Sequence, residues 1–395
     1  MEKSKKKRGL LKKIMKVLGI ILLVILLVAA FIWFFVLNYP KLKQDPKVGK
    51  WYRLQTSEMV DSEGGRYHAL FRKGSENSVM VYFAGGGVSI DENTAKNDTY
   101  NTRMVHPDYL ANVTMNMGGL ASDVDGSPYR NWTLILFPYA TGDFDCGEGE
   151  FSYIDKDGKE KVLYHHGYTN FRAAMDLVME KADVQNAENV VVTGYSAGGW
   201  AASRLADDVF SDYFPESKTK TVLVDSSMAL NPAWKDIAED VWHAPEHITE
   251  RIHSYNITMD MLEALNNKWG IEVTLMFGSS TRDGDLSKVQ RYFQTGIMNT
   301  ETGEMPVENK DGDALMQMYR DALPEFKKNN VHVFFWNGMD WYGRTEYDLT
   351  SHTIISTPYV YAPLNDTEKS IAQWLQDGIS GTAEDFGIDL LNKGY

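Results

Sequence analysis

Short apolar runs that stop at small or polar residues recur along the body of the chain. Ser78–Phe83 ends at Ala84-Gly85-Gly86-Gly87, Thr133–Phe137 at Pro138-Tyr139, and Val190–Thr193 at Gly194. Lys220–Val224 runs into Asp225-Ser226-Ser227, Ile271–Phe277 into Gly278, and Val331–Trp336 into Asn337-Gly338. Between two of these runs, Phe171–Lys181 places Ala173, Ala174, Leu177 and Val178 at helical spacing. Near-continuous apolar strands alternating with helices predict an α/β fold with a mostly parallel sheet buried on both faces. The polar clusters then sit at C-terminal strand ends, where open α/β sheets place their sites. Ala229 to Asn267, rich in Trp, His and Met, reads as an inserted helical cap over that end.

The N-terminus has a different pattern. Eight Lys/Arg and one Glu crowd residues 1–16, and Val17 to Leu37 then carries no charge. Twenty-one helical residues span about 31 Å at 1.5 Å each, the thickness of a bilayer core. Ala29-Ala30 is followed by Phe31-Ile32-Trp33-Phe34-Phe35, which prolongs the apolar run where a cleavable signal would end. The expectation is one transmembrane signal anchor over 17–37, with residues 1–16 cytoplasmic by the positive-inside rule. Residues 38–50 would be a tether and 51–395 an extracytoplasmic domain at the cell membrane.

The chain's 395 residues are 43% hydrophobic and 12% aromatic, enough for a large core. The net charge of −14 combines +7 over residues 1–16 with −21 for the remainder. An acidic body without a basic patch argues against nucleic acid as a partner. The single cysteine, Cys146, excludes an intrachain disulfide. Asp143, Asp145, Glu148 and Glu150 surround it and would raise its thiol pKa, so it is read as structural.

The stretch that organises the chemistry is Val190-Val191-Val192-Thr193-Gly194-Tyr195-Ser196-Ala197-Gly198-Gly199-Trp200. Gly-X-Ser-X-Gly alone is a weak signal. Here a β-branched strand precedes it and an Ala-rich helix follows, which is the setting of a nucleophile elbow with Ser196 at the apex. A serine nucleophile needs a base, an acid to orient that base, and donors for the oxyanion. His352, in a loop after the last strand, is the candidate base. Asp283 and Asp285 compete for the acid. Asp-Gly is turn chemistry and Asp285 could simply cap the next helix; one residue can turn while the other orients, and the choice leans to Asp285 with Asp225 third. Gly86, Gly87 and Ala197 would point backbone N–H groups at the oxyanion.

Other polar clusters have plainer readings. No P-loop Lys-Ser/Thr follows the glycines. His165-His166 precedes a helix, and either is the reserve base. His243, His247 and His253 lie on a Pro-interrupted segment without metal-ligand spacing. Asp155-Lys156-Asp157-Gly158 lacks the remaining positions of a calcium loop. No metal or cofactor is expected.

With these residues placed, the chain resembles the pectin acetylesterase/Notum family of α/β-hydrolases over about residues 75–355. The resemblance rests on Tyr82-Phe83-Ala84-Gly85-Gly86-Gly87, Asn131-Trp132, Phe137–Asp143, His166–Asn170, Gly194–Gly199, Asp225-Ser226 and Ser351-His352. It implies metal-free serine carboxylester hydrolysis, with glycan deacetylation in one branch and removal of a fatty acyl group from a protein in another. It also implies that Asp225 is not the triad acid. Well-known members carry many disulfides and a Trp-Cys after the glycines, where Val88-Ser89 stands here. The family's Asp-X-X-Gln acid loop is stretched here to Asp285-Leu286-Ser287-Lys288-Val289-Gln290. The expected protein is a membrane-anchored serine esterase acting on an O-acetylated or O-acylated glycan or another acylated surface molecule. The alternative is a catalytically silent, surface-anchored glycan-binding protein on the same scaffold; a peptidase is disfavoured, because nothing marks a peptide pocket.

Overall fold

The computed structural model describes residues 2–31, 39–102, 118–299, 301–338, 348–365 and 367–393. Among these described residues ten strands form: β1 (Trp51–Leu54), β2 (Ala69–Arg72), β3 (Ser78–Phe83), β4 (Thr133–Phe137), β5 (Gly149–Ile154), β6 (Glu160–His165), β7 (Asn189–Tyr195), β8 (Thr219–Asp225), β9 (Val273–Ser280) and β10 (Val331–Trp336). Eight of them make one sheet in the order β1-β2-β4-β3-β7-β8-β9-β10, while β5 and β6 form a separate hairpin. The pairs from β4 through β10 are parallel, and β1-β2 and β2-β4 are antiparallel.

Burial on both faces explains the apolar runs. Val79, Val81 and Phe83 of β3 join one core, and Met80 and Tyr82 join the other, as the two-residue period of a strand requires. Helix Ala197–Asp208 packs on β3, β7 and β8, and helix Ile371–Ile379 packs on β8 and β9. After β3 the chain builds β4 on one side, and it reaches β7 on the other. The loops after β3 and β7 therefore meet at the point where strand order reverses, and Gly85–Gly87 and Ser196 are both there.

β9 outruns the expected strand, which stopped at Phe277. Its register continues to Ser280 opposite Trp336. The added serines are buried but hydrogen-bonded: Ser279 Oγ lies 2.7 Å from Tyr319 Oη, and Ser280 Oγ–H donates to the Ser351 carbonyl at 2.7 Å. Buried hydroxyls with partners are compatible with a central strand.

The expected membrane span is corrected. Among the described residues, no helix is long and apolar enough to cross a membrane. The N-terminal helix, Glu2–Phe31, is 30 residues long, but its first half is the lysine-rich stretch. Its uncharged part from Val17 to Phe31 reaches only about 22 Å, against ~30 Å of hydrocarbon. Residues 32–37 of the expected span lie outside the described residues. The signal anchor over 17–37, the bilayer as partner and the single-pass cell-membrane placement fall with it. The segment expected as a tether lies against the sheet edge: Arg53 N–H donates to the Pro40 carbonyl, Leu42 N–H donates to the Arg53 carbonyl, and Leu42 is buried.

The segment expected as a cap touches the loops of the site, where Trp242 Nε1–H donates to the Ser89 carbonyl and Thr258 Oγ1–H to that of Ser227, and it also runs on away from them. Trp234 and Trp242 are buried against Phe144, Arg251 pairs with Asp207, and His247 reaches Asp208. Asp207 and Asp208 are 11 and 12 residues beyond Ser196, about 17 Å down the helix. The segment packs along that helix's flank. Its aromatic residues serve the core.

Candidate active site

Ser196 stands between β7, which ends at Tyr195, and helix Ala197–Asp208, with φ 53° and ψ −127°. A non-glycine residue there is strained, and the surroundings must hold it. Ser196 N–H donates to the Asp225 carbonyl at 2.9 Å, and its carbonyl accepts Gly199 N–H at 2.9 Å and Ser227 Oγ–H at 2.6 Å. The flanking glycines are steric requirements. A Cβ on Gly194 would lie 2.1 Å from the Gly198 carbonyl oxygen, and one on Gly198 would lie 2.1 Å from that of Phe83. The Gly-rich loop is equally close, since a Cβ on Gly85 would stand 2.7 Å from the Ser196 Cβ. Ala197 N–H is the first in its helix, where intrahelical acceptors are missing and the positive dipole end lies.

The base loop follows β10. Asp283 and Thr350 form a parallel bridge: Thr350 N–H donates to the Arg282 carbonyl, and Gly284 N–H donates to the Thr350 carbonyl. This pairing puts Asp283 two residues from His352 in register, and His352 Nδ1 lies 2.7 Å from Asp283 Oδ2. Asp283 is fully buried and the His352 side chain is 18% exposed. Oδ1 of Asp283 meanwhile accepts Asp285 N–H and Leu286 N–H, capping helix Gly284–Thr295. Asp285 is turned outward by that helix, 57% exposed, and accepts from Lys288 Nζ at 2.9 Å. The hydrogen bond to the imidazole therefore belongs to Asp283 and not to Asp285, the residue favoured above. One carboxylate both caps the helix and meets the histidine, a double use that spacing alone does not reveal.

Charge shapes the pair. Burial pushes His352 down, but the charge and hydrogen bond of Asp283, with the charges of Asp285 and Asp225, outweigh it and raise its pKa to about 9. For Asp285, burial is outweighed by His352 and Lys288, which hold the carboxyl below its usual range. Burial raises Asp225 to about 6, against hydrogen bonds from Ile354, Ile355 and Ser226.

The chain is similar to known proteins in sequence and in fold. A family model described as Pectinacetylesterase matches residues 61–251. Pectin acetylesterase 11 of Arabidopsis thaliana is 28% identical over 168 residues, covering 41% of this chain and 40% of that protein. The match thus spans well under two thirds of that relative. The Wnt deacylase Notum from Drosophila superposes in one crystal form with a TM-score of 0.58 at 16% identity, over 85% of this chain and 94% of Notum. In another form the values are 0.54, 14%, 87% and 94%. The chain is pectin acetylesterase/Notum-like.

Within the pectin acetylesterase/Notum-like chain, the matched family span holds Gly86, Gly87 and Ser196 and stops before Asp283 and His352. The Notum likeness shows the α/β-hydrolase fold for the wider body. The other polar clusters have structural partners. His165 Nδ1 lies 2.8 Å from the Thr141 carbonyl, and burial lowers its pKa to about 4. Asp143 accepts from Thr141 Oγ1 and from the N–H groups of Asp145, Gly147 and Gly167, tying down the loop after β4. Asp155 closes the turn between β5 and β6 by accepting Asp157 and Lys159 N–H. Burial pushes the Cys146 thiol far above its ordinary value. Among the described residues, no group of three or more His, Cys, Asp or Glu could hold a metal ion. Sequence reasoning missed the part played by Ser227, whose hydroxyl bonds the Ser196 carbonyl. Its only signal was the third residue of Asp225-Ser226-Ser227.

Proposed function

We propose that this protein is a serine carboxylesterase that deacylates an O-acetylated or O-acylated glycan. The observation that carries the reading is the 2.7 Å contact between His352 Nδ1 and buried Asp283, on a loop registered against the strand next to the elbow's neighbour. Ser196 Oγ attacks the ester carbonyl while Nε2 of His352 takes its proton. Asp283 holds the Nδ1–H tautomer and stabilises the imidazolium that forms. Backbone N–H groups of Gly86, Gly87 and Ala197 receive the oxyanion, and such a donor contributes ~3–4 kcal/mol of transition-state stabilisation. The imidazolium protonates the leaving alkoxide, and water then hydrolyses the acyl-serine by the same route. The pectin acetylesterase and Notum relatives support a hydrolase of the carboxylesterase/deacylase kind. The silent-binder reading drew on the irregular acid loop, and the Asp283–His352 contact speaks against it.

The test is hydrolysis of p-nitrophenyl acetate, butyrate and octanoate by the purified chain beside Ser196→Ala. Serine-dependent turnover is expected, and the chain-length preference separates deacetylation from lipid deacylation. Equal turnover by Ser196→Ala, or none by either, would refute the esterase.

A further inference from the structure

We propose that Asp225 is the positioning residue of the base, its buried carboxylate holding the backbone beyond His352 so that the imidazole stays in place. The inference rests on the Ser196–His352–Asp283 reading above. Asp225 ends β8 and is 1% exposed. Its Oδ2 accepts Ile354 N–H at 2.8 Å and Ile355 N–H at 2.9 Å, and its Oδ1 accepts Ser226 Oγ–H at 3.0 Å. Its carbonyl oxygen accepts Ser196 N–H. One residue therefore grips the nucleophile's turn and, 129 positions further on, the base's loop.

His352 stands between two anchors. On its N-terminal side, Thr350 is bridged to the Asp283 strand extension. On its C-terminal side are the two N–H groups held by Asp225. Between His352 and that second anchor, Thr353 has φ 59°. A β-branched residue is rarely found there, and such strain persists only while its surroundings enforce it. Two backbone donors on one carboxylate oxygen supply that enforcement as charge-assisted bonds. Without them Thr353 can relax, and His352 moves with it.

The carboxylate also acts by charge. The groups facing His352 are Asp283, Asp285 and Asp225, and Asp225 in turn faces Tyr82 and Tyr319 across the sheet end. Asp225→Asn separates the two effects. The amide oxygen can accept both N–H groups, as Oδ2 does alone, and the amide N–H can donate to Ser226 Oγ. Geometry is retained while the charge is lost.

In the full chain, Asp225→Ala should lower kcat about 100-fold, with KM for p-nitrophenyl acetate little changed, because a base displaced by about 1 Å costs that much. Asp225→Asn should stay within about tenfold of wild type and shift the rising limb of its pH profile to lower pH. The low-field proton resonance of His352 Nδ1–H gives a readout independent of turnover. It should shift or vanish in the Ala variant and persist in the Asn variant. A folded Ala variant with wild-type kcat, or with that resonance unchanged, overturns the proposal; so does an Asn variant as impaired as Ala with an unmoved pH limb. An inactive wild type would instead sink the esterase reading, leaving the resonance to judge Asp225.

Discussion

Asp283 turns one carboxylate oxygen to His352 Nδ1 at 2.7 Å and the other to the N–H groups of Asp285 and Leu286. The residue proposed as the acid is thus also the N-cap of a helix, and the helix holds its carboxylate toward the imidazole.

That division of labour predicts a sharp contrast between neighbouring carboxylates. Asp283→Asn keeps an oxygen for the cap yet replaces the acceptor facing Nδ1–H, and kcat should fall ~10³–10⁴-fold, as loss of the correct tautomer does in triads. Asp285→Asn removes an exposed partner of Lys288 and one of the lesser charges that raise His352, leaves the hydrogen bond to Nδ1 in place, and should cost less than tenfold. Steady-state kinetics on the pair decides it; equal losses would deny Asp283 its special place.

The raised His352 predicts alkaline activity. A neutral imidazole is required to take the Ser196 proton, so kcat/KM should climb about tenfold per pH unit until it levels near pH 9. For stability the sign is opposite. The folded pKa of about 9 exceeds the ordinary 6.5, so the ion pair's contribution is full below about pH 6.5 and is lost as pH rises through about 9. A pH–rate profile levelling at pH 7 would contradict this charge assignment.

Gly198→Ala should unfold the protein more easily. Its Cβ would stand 2.1 Å from the Phe83 carbonyl oxygen, inside a buried contact that cannot yield without moving β3. Overpacking of this kind costs about 1–3 kcal/mol or more, several degrees of melting temperature for a domain of this size. Calorimetry showing an unchanged transition would contradict the packing described here.

Cys146 should be inert while the chain is folded. The thiol is fully buried, donates to the Asp143 carbonyl and is pushed up by burial. An aromatic disulfide reagent at pH 8 should release no colour from native protein and one equivalent after denaturation. Rapid labelling of the native state would place the thiol at the surface.

The sequence by itself determined the six parallel strands, because burial on both faces demands unbroken apolar runs; the antiparallel edge strands β1 and β2 and the hairpin β5-β6 were not legible in it. It also determined the elbow, because its two glycines are the only residues that let the strand, turn and helix backbones touch. His352 stood out as the candidate base by chain order together with its place in the loop after the last strand. The choice between Asp283 and Asp285 was not, since both lie in one turn and only the bridge to Thr350 orients one of them toward the imidazole. Asp225 looked like one more polar residue after a strand until the fold brought Ile354 and Ile355 to its carboxylate. The Trp-rich segment after β8 offers hydrophobic content without a direction, and packing against Phe144 and the nucleophile's helix decided where it lies. The N-terminal apolar run likewise has length in sequence, but among the described residues its charged and uncharged parts share one helix that is not long and apolar enough to cross a membrane. Local periodicity is written along the chain, whereas contacts between residues a hundred positions apart arise only when the sheet is assembled.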